Sequence, residues 1–289
     1  MREMMRAIRL WIRCAISAMT AVSWLATAPP GNATPGRIVS INACTDQLLL
    51  ALADRDQILA LTNYARDPRM SFYADRAEGI NAIRGTAEEV MKLKPDLVLA
   101  GSFTRRATRE QLAAQGLQIA TFSPARSIED VRKQIAEAAY LLGQDGRGRA
   151  LIAELDAAFA DLDGSSRIPL RALQLQRRAF ASGSGTLIDD IMQRLGITNA
   201  GTDIGIKNVG RASLEAVLKA KPDLLILDSA NPGAADQGTA LLAHPGLEDF
   251  VPPQRRVVIP LNQLVCGGPG VVLAARTLRR AVDKIAVQE

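Results

Sequence analysis

From about residue 37 onward, the chain alternates short apolar runs with amphipathic segments. Runs such as RIVSI (Arg37–Ile41), QILALT (Gln57–Thr62) and DLVLAG (Asp96–Gly101) have the length and composition of strands that are buried on both faces. Segments with helical spacing stand between them, for example SIEDVRKQIAEAAYLLG, which ends at Gly143. Strand–helix–strand order with short links predicts parallel sheets with helices on both faces.

The alternation breaks once, at a long apolar helical stretch without a following strand, GRALIAELDAAFADL (Gly148–Leu162). The pattern then restarts with RALQLQ and continues to a last helix near the end of the chain. The predicted fold class is therefore α/β, with two Rossmann-like lobes joined by one long helix. We expect an N-terminal lobe at 34–143, a bridging helix at 144–164 and a C-terminal lobe at 165–289.

An internal repeat supports two related lobes. KPDLVLAG begins at Lys94 and KPDLLILD at Lys221, a shift of 127 positions. The same shift relates Thr86 to Ser213, both good N-caps, and it relates Glu88 to Glu215 in the first helical turn, where a negative charge suits the helix dipole. A KPDL motif alone is a common helix-to-strand link, but the matched caps and acids favour two copies of one unit.

The N-terminal segment predicts a secretory signal peptide at 1–33. A basic start is followed by a short apolar run and a break rich in proline and glycine, with a cleavage site expected at Gly31-Asn32-Ala33 or Ala26-Thr27-Ala28. A retained membrane anchor is the alternative interpretation. Removal of the segment lowers the formal charge from +5 by three, to +2, which does not suggest a nucleic-acid partner. Both tryptophans, Trp11 and Trp24, leave with the segment.

Two cysteines, Cys44 and Cys266, remain after that removal, one in each predicted lobe. An even pair in an exported protein suggests a disulfide. Two buried free thiols or a soft-metal site are the other interpretations at this point. A disulfide would limit how far the lobes open.

Candidate ligand-binding residues lie in the loops that follow the predicted strands, where open parallel sheets bind their ligands. These loops are rich in cationic and aromatic side chains, and the candidates are Tyr64, Arg66, Arg69, Phe103, Arg105, Arg106, Lys207 and Arg211. The guanidinium fork of arginine suits carboxylates and other delocalised anions. Taken singly, each arginine could equally be a solvated rim charge, but together they predict an anion-binding cleft.

No catalytic or metal-binding motif accompanies these residues. SGSGT lacks the full phosphate-loop pattern, and the first strand is not followed by GxGxxG. The single histidine, His244, precedes a proline as turn residues often do, and it cannot form a multi-histidine metal site. We therefore predict no resident metal or cofactor and no enzyme activity. A secreted two-lobed α/β enzyme is kept as the alternative from another class.

The order and spacing of these segments resemble the periplasmic binding proteins for iron complexes and cobalamin that serve ABC importers. The resemblance runs from about Arg37 to Ala286 and rests on RIVSINACTDQLLLALA, NYARDP, TAEEVMKLKPDLVLAG, FASGSG, SLEAVLKAKPDLLILDSA and GGPGVVLAARTL. It implies a monomer of the helical-backbone class, located in the periplasm, that binds a small metal chelate between its lobes. It also implies a permease and ATPase complex as partner, with Glu88 and Glu215 docking on the permease.

The resemblance bears on the ligand through a few positions. Tyr64 matches a tyrosine that contacts the corrin ring in cobalamin-binding relatives, whereas cleft tryptophans are missing from this chain. That departure and the loop arginines favour an anionic ferric siderophore, with cobalamin second. Haem is a further alternative, with Tyr64 or Tyr73 as an axial oxygen ligand. A membrane-tethered sensor would require the N-terminal segment to stay attached.

Overall fold

The computed structural model describes residues 34–163, 169–228 and 238–287. The predicted signal peptide, residues 1–33, lies outside this part of the chain. Among the described residues, no helix combines the length and the hydrophobicity that a membrane span requires.

The first sheet is wholly parallel, with the strand order β3-β2-β1-β4-β5. Its strands are β1 (Ile38–Ser40), β2 (Ile58–Thr62), β3 (Asn81–Ile83), β4 (Leu97–Gly101) and β5 (Gln118–Phe122). The helices of this half are α1 (Ala43–Leu52), α2 (Ala87–Leu93), α3 (Arg106–Ala114) and α4 (Ile128–Leu142). Short 3-10 turns span Arg55–Gln57, Asn63–Arg66 and Ala74–Ala77.

The long helix α5 (Asp145–Asp163) links the two halves along the chain. It packs against α4 of the first half and against the last helix of the second half. Phe159 on α5 is fully buried in an apolar cluster that includes Ile38 of the first sheet and Ile226 of the second. The two halves therefore share one continuous core around this helix.

The second sheet has the order β11-β10-β6-β7-β9, and β8 also pairs with β6. Its strands are β6 (Arg171–Gln176), β7 (Phe180–Ser182), β8 (Thr198–Asn199), β9 (Val209–Arg211), β10 (Leu224–Leu227) and β11 (Arg256–Val258). Its helices are α6 (Leu187–Arg194), α7 (Ala200–Asp203), α8 (Leu214–Ala220), α9 (Pro245–Phe250), α10 (Leu261–Leu264) and α11 (Gly270–Ala286), with 3-10 turns at Arg177–Ala179 and Pro253–Arg255.

This second sheet departs from the parallel arrangement that the sequence pattern predicts. β7 runs antiparallel to both β6 and β9, while the other pairs are parallel. Only Arg177–Ala179 connect β6 to β7, and three residues cannot make the long crossover that a parallel pair needs. The result is a hairpin, with Arg178 and Ala179 at positive φ.

The repeated KPD unit has the same geometry in both halves. Lys94 and Lys221 end α2 and α8 in the left-handed conformation, with φ of 48° and 47°. The carboxylate of Asp96 accepts from the backbone N–H of Gly36 (3.1 Å), and that of Asp223 accepts from Arg171 (2.9 Å). The aspartates thus tie the start of β4 and β10 to the start of the neighbouring strand, which explains why the whole motif recurs.

Candidate functional site

A cavity of about 500 Å³ lies between the two halves. The first half contributes Phe103, which follows β4, and the loop 124–126 after β5. The second half contributes the ends of β6 and β7 and residues 259–265. Apart from β7, which is antiparallel, these segments lie at or just after the carboxyl ends of parallel strands, so the cavity occupies the edge where such sheets bind ligands.

The walls of this cavity are largely apolar. Leu187 and Ile188 at the start of α6, together with Leu261 and Leu264 on α10, line the side of the second half. Phe103 faces them from the first half with 85% of its surface exposed. A large aromatic side chain is seldom so exposed without a partner, and Phe103 is therefore a candidate contact for a ligand with a flat apolar face.

A polar strip runs along one wall of the cavity. Gln174 is buried and accepts a hydrogen bond from Ser182 Oγ at 2.6 Å. Gln176 also lines the cavity, on the same face of β6, because side chains alternate along a strand. Leu227 pairs with Leu175, so Asp228, the next residue, lies beside Gln176 and lines the cavity too.

Asp228 is the acidic member of the described lining. Its Oδ1 atom is buried and has no hydrogen-bond partner among the described residues. Burial raises the pKa of the Asp228 carboxyl, and the positive charge of Arg177 opposes that rise. The strip thus combines two amides, a hydroxyl and a carboxyl group, and it supplies both donors and acceptors of hydrogen bonds.

A disulfide joins Cys44, on α1, to Cys266, which follows α10. Both cysteines line a second cavity of about 210 Å³, and Phe103 lines this cavity as well as the larger one. The two halves approach closely here: a Cβ atom on Gly267 would lie 2.5 Å from the Cβ of Ala125. The disulfide therefore links the halves covalently at one end of the cleft, and the absence of a side chain at Gly267 allows their close approach.

Three predicted site residues lie around the turn after β2. Tyr64 is 57% exposed on the 3-10 turn Asn63–Arg66. The Arg66 guanidinium donates to the Ile80 carbonyl, and Arg69 makes a two-pronged pair with Asp67 at 2.7 and 3.0 Å. The Arg69 guanidinium holds the pKa of the Asp67 carboxyl well below its usual range. None of the three predicted residues is among those that line the two cavities.

The other predicted cations lie outside the described lining of the main cavity as well. Arg105 precedes α3, and Arg106 pairs with Glu110 at 2.6 Å with most of its side chain exposed. The backbone of Lys207 forms an isolated parallel β-bridge with the backbone of Ser184. Arg211 lies over the Phe180 ring at 5.5 Å and lines a separate concavity of about 700 Å³ with Arg177 and Arg178.

Phe103 is thus the predicted ligand-binding residue that the structure places in the main cavity. The polar residues of its wall were not among the predicted ones. A signal for them exists in RALQLQ, because two glutamines spaced by two on a buried strand share a face and need polar partners. No comparable signal marks residues 261–265, which reach the cavity only through the tertiary fold.

Glu88 and Glu215 occupy equivalent, exposed positions in the first turns of α2 and α8. Glu88 pairs with Lys92 at 2.7 Å on the helix surface. Hydrogen bonds from Lys92 and from Ser213 lower the pKa of Glu88 and Glu215 respectively, so both are ionised at neutral pH. Each helix follows a strand that ends at the cleft edge, which places one exposed acid beside that edge in each half.

Across residues 34–163, 169–228 and 238–287, no three His, Cys, Asp or Glu side chains are grouped as they would be to hold a metal ion. His244 caps α9, where its Nδ1 accepts from the backbone N–H of Gly246 at 3.0 Å. Tyr73, one of the two tyrosines considered for a haem iron, is buried with 8% of its surface exposed.

Residues 38–252 match the family model described as periplasmic binding protein. The cobalamin-binding protein of Halobacterium salinarum is 26% identical over 206 residues, which are 69% of this chain and 56% of that relative. The chain thus spans little more than half the length of that curated relative.

Solved structures are similar over nearly the whole fold. The periplasmic heme-binding protein RhuT from Roseiflexus sp. RS-1 has a TM-score of 0.70 and 26% identity, covering 85% of this chain and 97% of that one. The periplasmic vitamin B12 binding protein BtuF of Vibrio cholerae has a TM-score of 0.69 at 17% identity, covering 89% and 99%. These likenesses confirm the predicted two-lobed α/β fold class.

Proposed function

Because the chain belongs to the periplasmic binding protein family, we propose that it is the solute-binding component of an ABC importer and acts outside the cytoplasm. The family consists of binding proteins, so the prediction that the chain is not an enzyme is confirmed. The cleft between two α/β halves and the disulfide, which suits an oxidising compartment, support the proposal.

The proposed ligand is a metal tetrapyrrole, either a corrinoid or a haem. The observation that carries this choice is the apolar cavity with Phe103 exposed at its side, because a broad flat macrocycle can stack on an aromatic ring and fill such walls. The names of two relatives agree: one is a cobalamin-binding protein and another a heme-binding protein, each 26% identical to this chain.

An anionic ferric siderophore is the second candidate. It is supported by the arginines at the carboxyl edges of the sheets, among them Arg105 and Arg106, which lie two and three positions after Phe103 in the chain. Against it, the described lining of the main cavity includes one arginine, Arg126, and one acid, Asp228. Such a wall lacks the cationic excess that an anionic chelate would favour.

A thermal-shift comparison separates these ligands. The purified protein is heated alone and with cyanocobalamin, haemin or an anionic ferric tris-catecholate, each at the same concentration. A ligand at a hundred times its Kd adds about 2.7 kcal/mol to the stability of the folded state, which moves the melting temperature by several degrees. We expect a shift with at least one tetrapyrrole. A shift with the tris-catecholate alone would favour the second candidate, and the tetrapyrrole proposal would then be wrong.

Glu88 and Glu215 are the proposed docking residues for the permease. Each is exposed, ionised and set at the start of a helix beside the cleft edge. Exposed ion pairs contribute about 0–1 kcal/mol each, which suits a contact that must form and release with each transport cycle. Reversing both charges (Glu88→Lys with Glu215→Lys) should stop ligand uptake by cells and leave the Kd of the ligand unchanged. Uptake at the wild-type rate would refute this role.

A further inference from the structure

The internal repeat extends upstream of the helix caps to a pair of arginines. The shift of 127 positions relates Arg84 to Arg211, and each arginine stands four positions before a proposed docking glutamate, Glu88 or Glu215. The residues on either side of the arginines differ between the two copies: Ile83 and Gly85 in the first, Gly210 and Ala212 in the second. The arginine thus recurs where its immediate neighbours do not.

Local structure does not account for either arginine. Both residues are exposed, and neither guanidinium forms an ion pair within the described part of the chain. The Arg211 guanidinium lies over the Phe180 ring at 5.5 Å. The neighbouring Glu89 carboxylate belongs to the helix cap, where its Oε2 accepts from the backbone N–H groups of Arg84 and Thr86 at 3.1 Å. A charge that recurs without an acidic partner in its own chain is explained if the partner is another molecule.

The fold places both arginines at the carboxyl edges of their sheets. Arg84 directly follows β3, and Arg211 is the last residue of β9. β3 and β9 are outermost strands of the first and the second sheet. Because β7 is antiparallel to both β6 and β9, the carboxyl end of β9 lies at the same edge as that of β6, which lines the main cavity. Each half therefore presents one arginine and one glutamate beside the cleft edge.

Opposite charges at one place restrict the partner. The fork of arginine binds a carboxylate through two parallel N–H···O bonds, whereas glutamate pairs with basic side chains. A surface with basic groups alone would be repelled by Arg84 and Arg211, so the complementary surface carries an acid next to a base. This pattern favours a protein over an anionic lipid surface, which would attract the arginines and repel the glutamates.

We propose that Arg84 and Arg211 are docking residues that bind acidic side chains of the permease, one in each half. The inference rests on the proposed docking of Glu88 and Glu215 and extends it. Each half contacts the permease through two opposite charges, and the permease presents an acid for each arginine as well as a base for each glutamate. Two contacts of opposite sign also fix the orientation of docking, since a shifted partner would bring like charges together.

A binding assay with neutral variants tests this role. The permease and ATPase that transport ligand with this protein are held in nanodiscs of phosphatidylcholine, and association of the purified protein is followed by biolayer interferometry. Arg84→Gln with Arg211→Gln should raise the Kd for the permease about tenfold, mainly through slower association, and should flatten the dependence of the Kd on salt. Arg84→Lys with Arg211→Lys keeps both charges and should stay within about threefold of wild type.

Arg149→Gln with Arg280→Gln is the matched control. These two exposed arginines lie on α5 and α11, and their replacement removes the same net charge. The control should bind the permease as wild type does. Cyanocobalamin and haemin should each bind Arg84→Gln with Arg211→Gln as they bind wild type, because neither arginine is among the residues that line the main cavity.

The outcomes separate the inference from the proposal on which it rests. Wild-type affinity of Arg84→Gln with Arg211→Gln for the permease, or an equal loss in the control, overturns the inference and leaves the docking glutamates standing. Loss of binding to permease-free nanodiscs of phosphatidylglycerol, without loss on the permease, would assign the arginines to a lipid surface and overturn it too. Failure of the wild type to bind the permease overturns the proposed function together with the inference.

Discussion

At the scale of single residues, exposure and pairing distinguish the candidate ligand contacts from their neighbours. Phe103 is 85% exposed yet lines two cavities, whereas Arg69, after β2, and Arg106, at the start of α3, pair with acids of their own segments. The sequence presents all three as loop residues after strands and could not tell them apart. Their roles depend on which side chains the fold brings within reach, and sequence spacing carries that information only for pairs a few residues apart.

Truncating Phe103 should weaken ligand binding without unfolding the protein. Phe103→Ala removes an aromatic face whose stacking and burial by a macrocycle contribute about 1–2 kcal/mol, so the Kd should rise about tenfold. The melting temperature of the ligand-free protein should change little, because the ring is mostly exposed. Tyr140→Ala on α4, where the ring is 71% exposed and lines neither cavity, is the matched control. An unchanged Kd in Phe103→Ala would remove this residue from the site.

Asp46 on α1 gives a pH dependence of stability. Its buried carboxylate accepts from the backbone N–H and the hydroxyl of Thr62, and burial nevertheless raises its pKa from 3.8 to about 6. Between these values the unfolded chain loses its proton while the folded protein keeps it. The stability that Asp46 contributes is therefore full below pH 3.8 and falls by about 3 kcal/mol as the pH rises through 6.

Urea unfolding of Asp46→Asn and of wild type at pH 4 and pH 7 measures this effect. The variant cannot ionise at this position, so its stability relative to wild type should increase by about 2–3 kcal/mol between the two pH values. Asp56→Asn, an exposed change just beyond α1, controls for the loss of a carboxylate. A difference between wild type and Asp46→Asn that is the same at both pH values would contradict the assignment.

At the scale of elements, the repeated helix-to-strand unit shows what the sequence can predict. Thr86 and Ser213 accept from backbone N–H groups of Glu89 and Ala216 as N-caps, and the following strands are buried as their apolar runs predict. These features depend on residues that are close in sequence, which is why the pattern reveals them. β3, β8 and β9 are two or three residues long and carry no apolar run, so they form only because neighbouring strands pair with them.

The left-handed ends of α2 and α8 offer a test of local strain. Lys94 and Lys221 adopt φ values of 48° and 47°, a conformation in which a Cβ is unfavourable and glycine is preferred. Lys94→Gly and Lys221→Gly should each stabilise the protein by about 0.5–1 kcal/mol, after the greater freedom of glycine in the unfolded chain is subtracted. Lys94→Ala keeps the Cβ and should give no gain. Destabilisation by both glycine variants in urea unfolding would contradict this explanation.

At the scale of the whole molecule, a continuous core and a covalent link hold the halves together. Helix α5 shares its apolar cluster with both sheets, and the Cys44–Cys266 disulfide joins segments that are 222 positions apart in the chain. The sequence indicates both elements of this design but leaves the cysteine pairing open, because a pairing over such a separation depends on the tertiary fold. We infer that opening of the cleft is small.

Removing the disulfide should lower the free energy of unfolding by about 3–5 kcal/mol, since a closed loop of this length restricts the unfolded chain strongly. Urea unfolding of Cys44→Ser with Cys266→Ser measures the loss. Reduction of the wild type should produce a comparable loss, and the same reductant should not affect the double variant. If the urea midpoint of wild-type unfolding is the same with and without reductant, the disulfide contributes little to the stability of the folded protein.

The most direct test of the central claim is titration calorimetry of the purified protein with cyanocobalamin and, separately, with haemin. We expect at least one of the two tetrapyrroles to bind, with one molecule per chain, and Phe103→Ala to weaken this binding about tenfold. Titrations in which neither tetrapyrrole binds would contradict the proposed function.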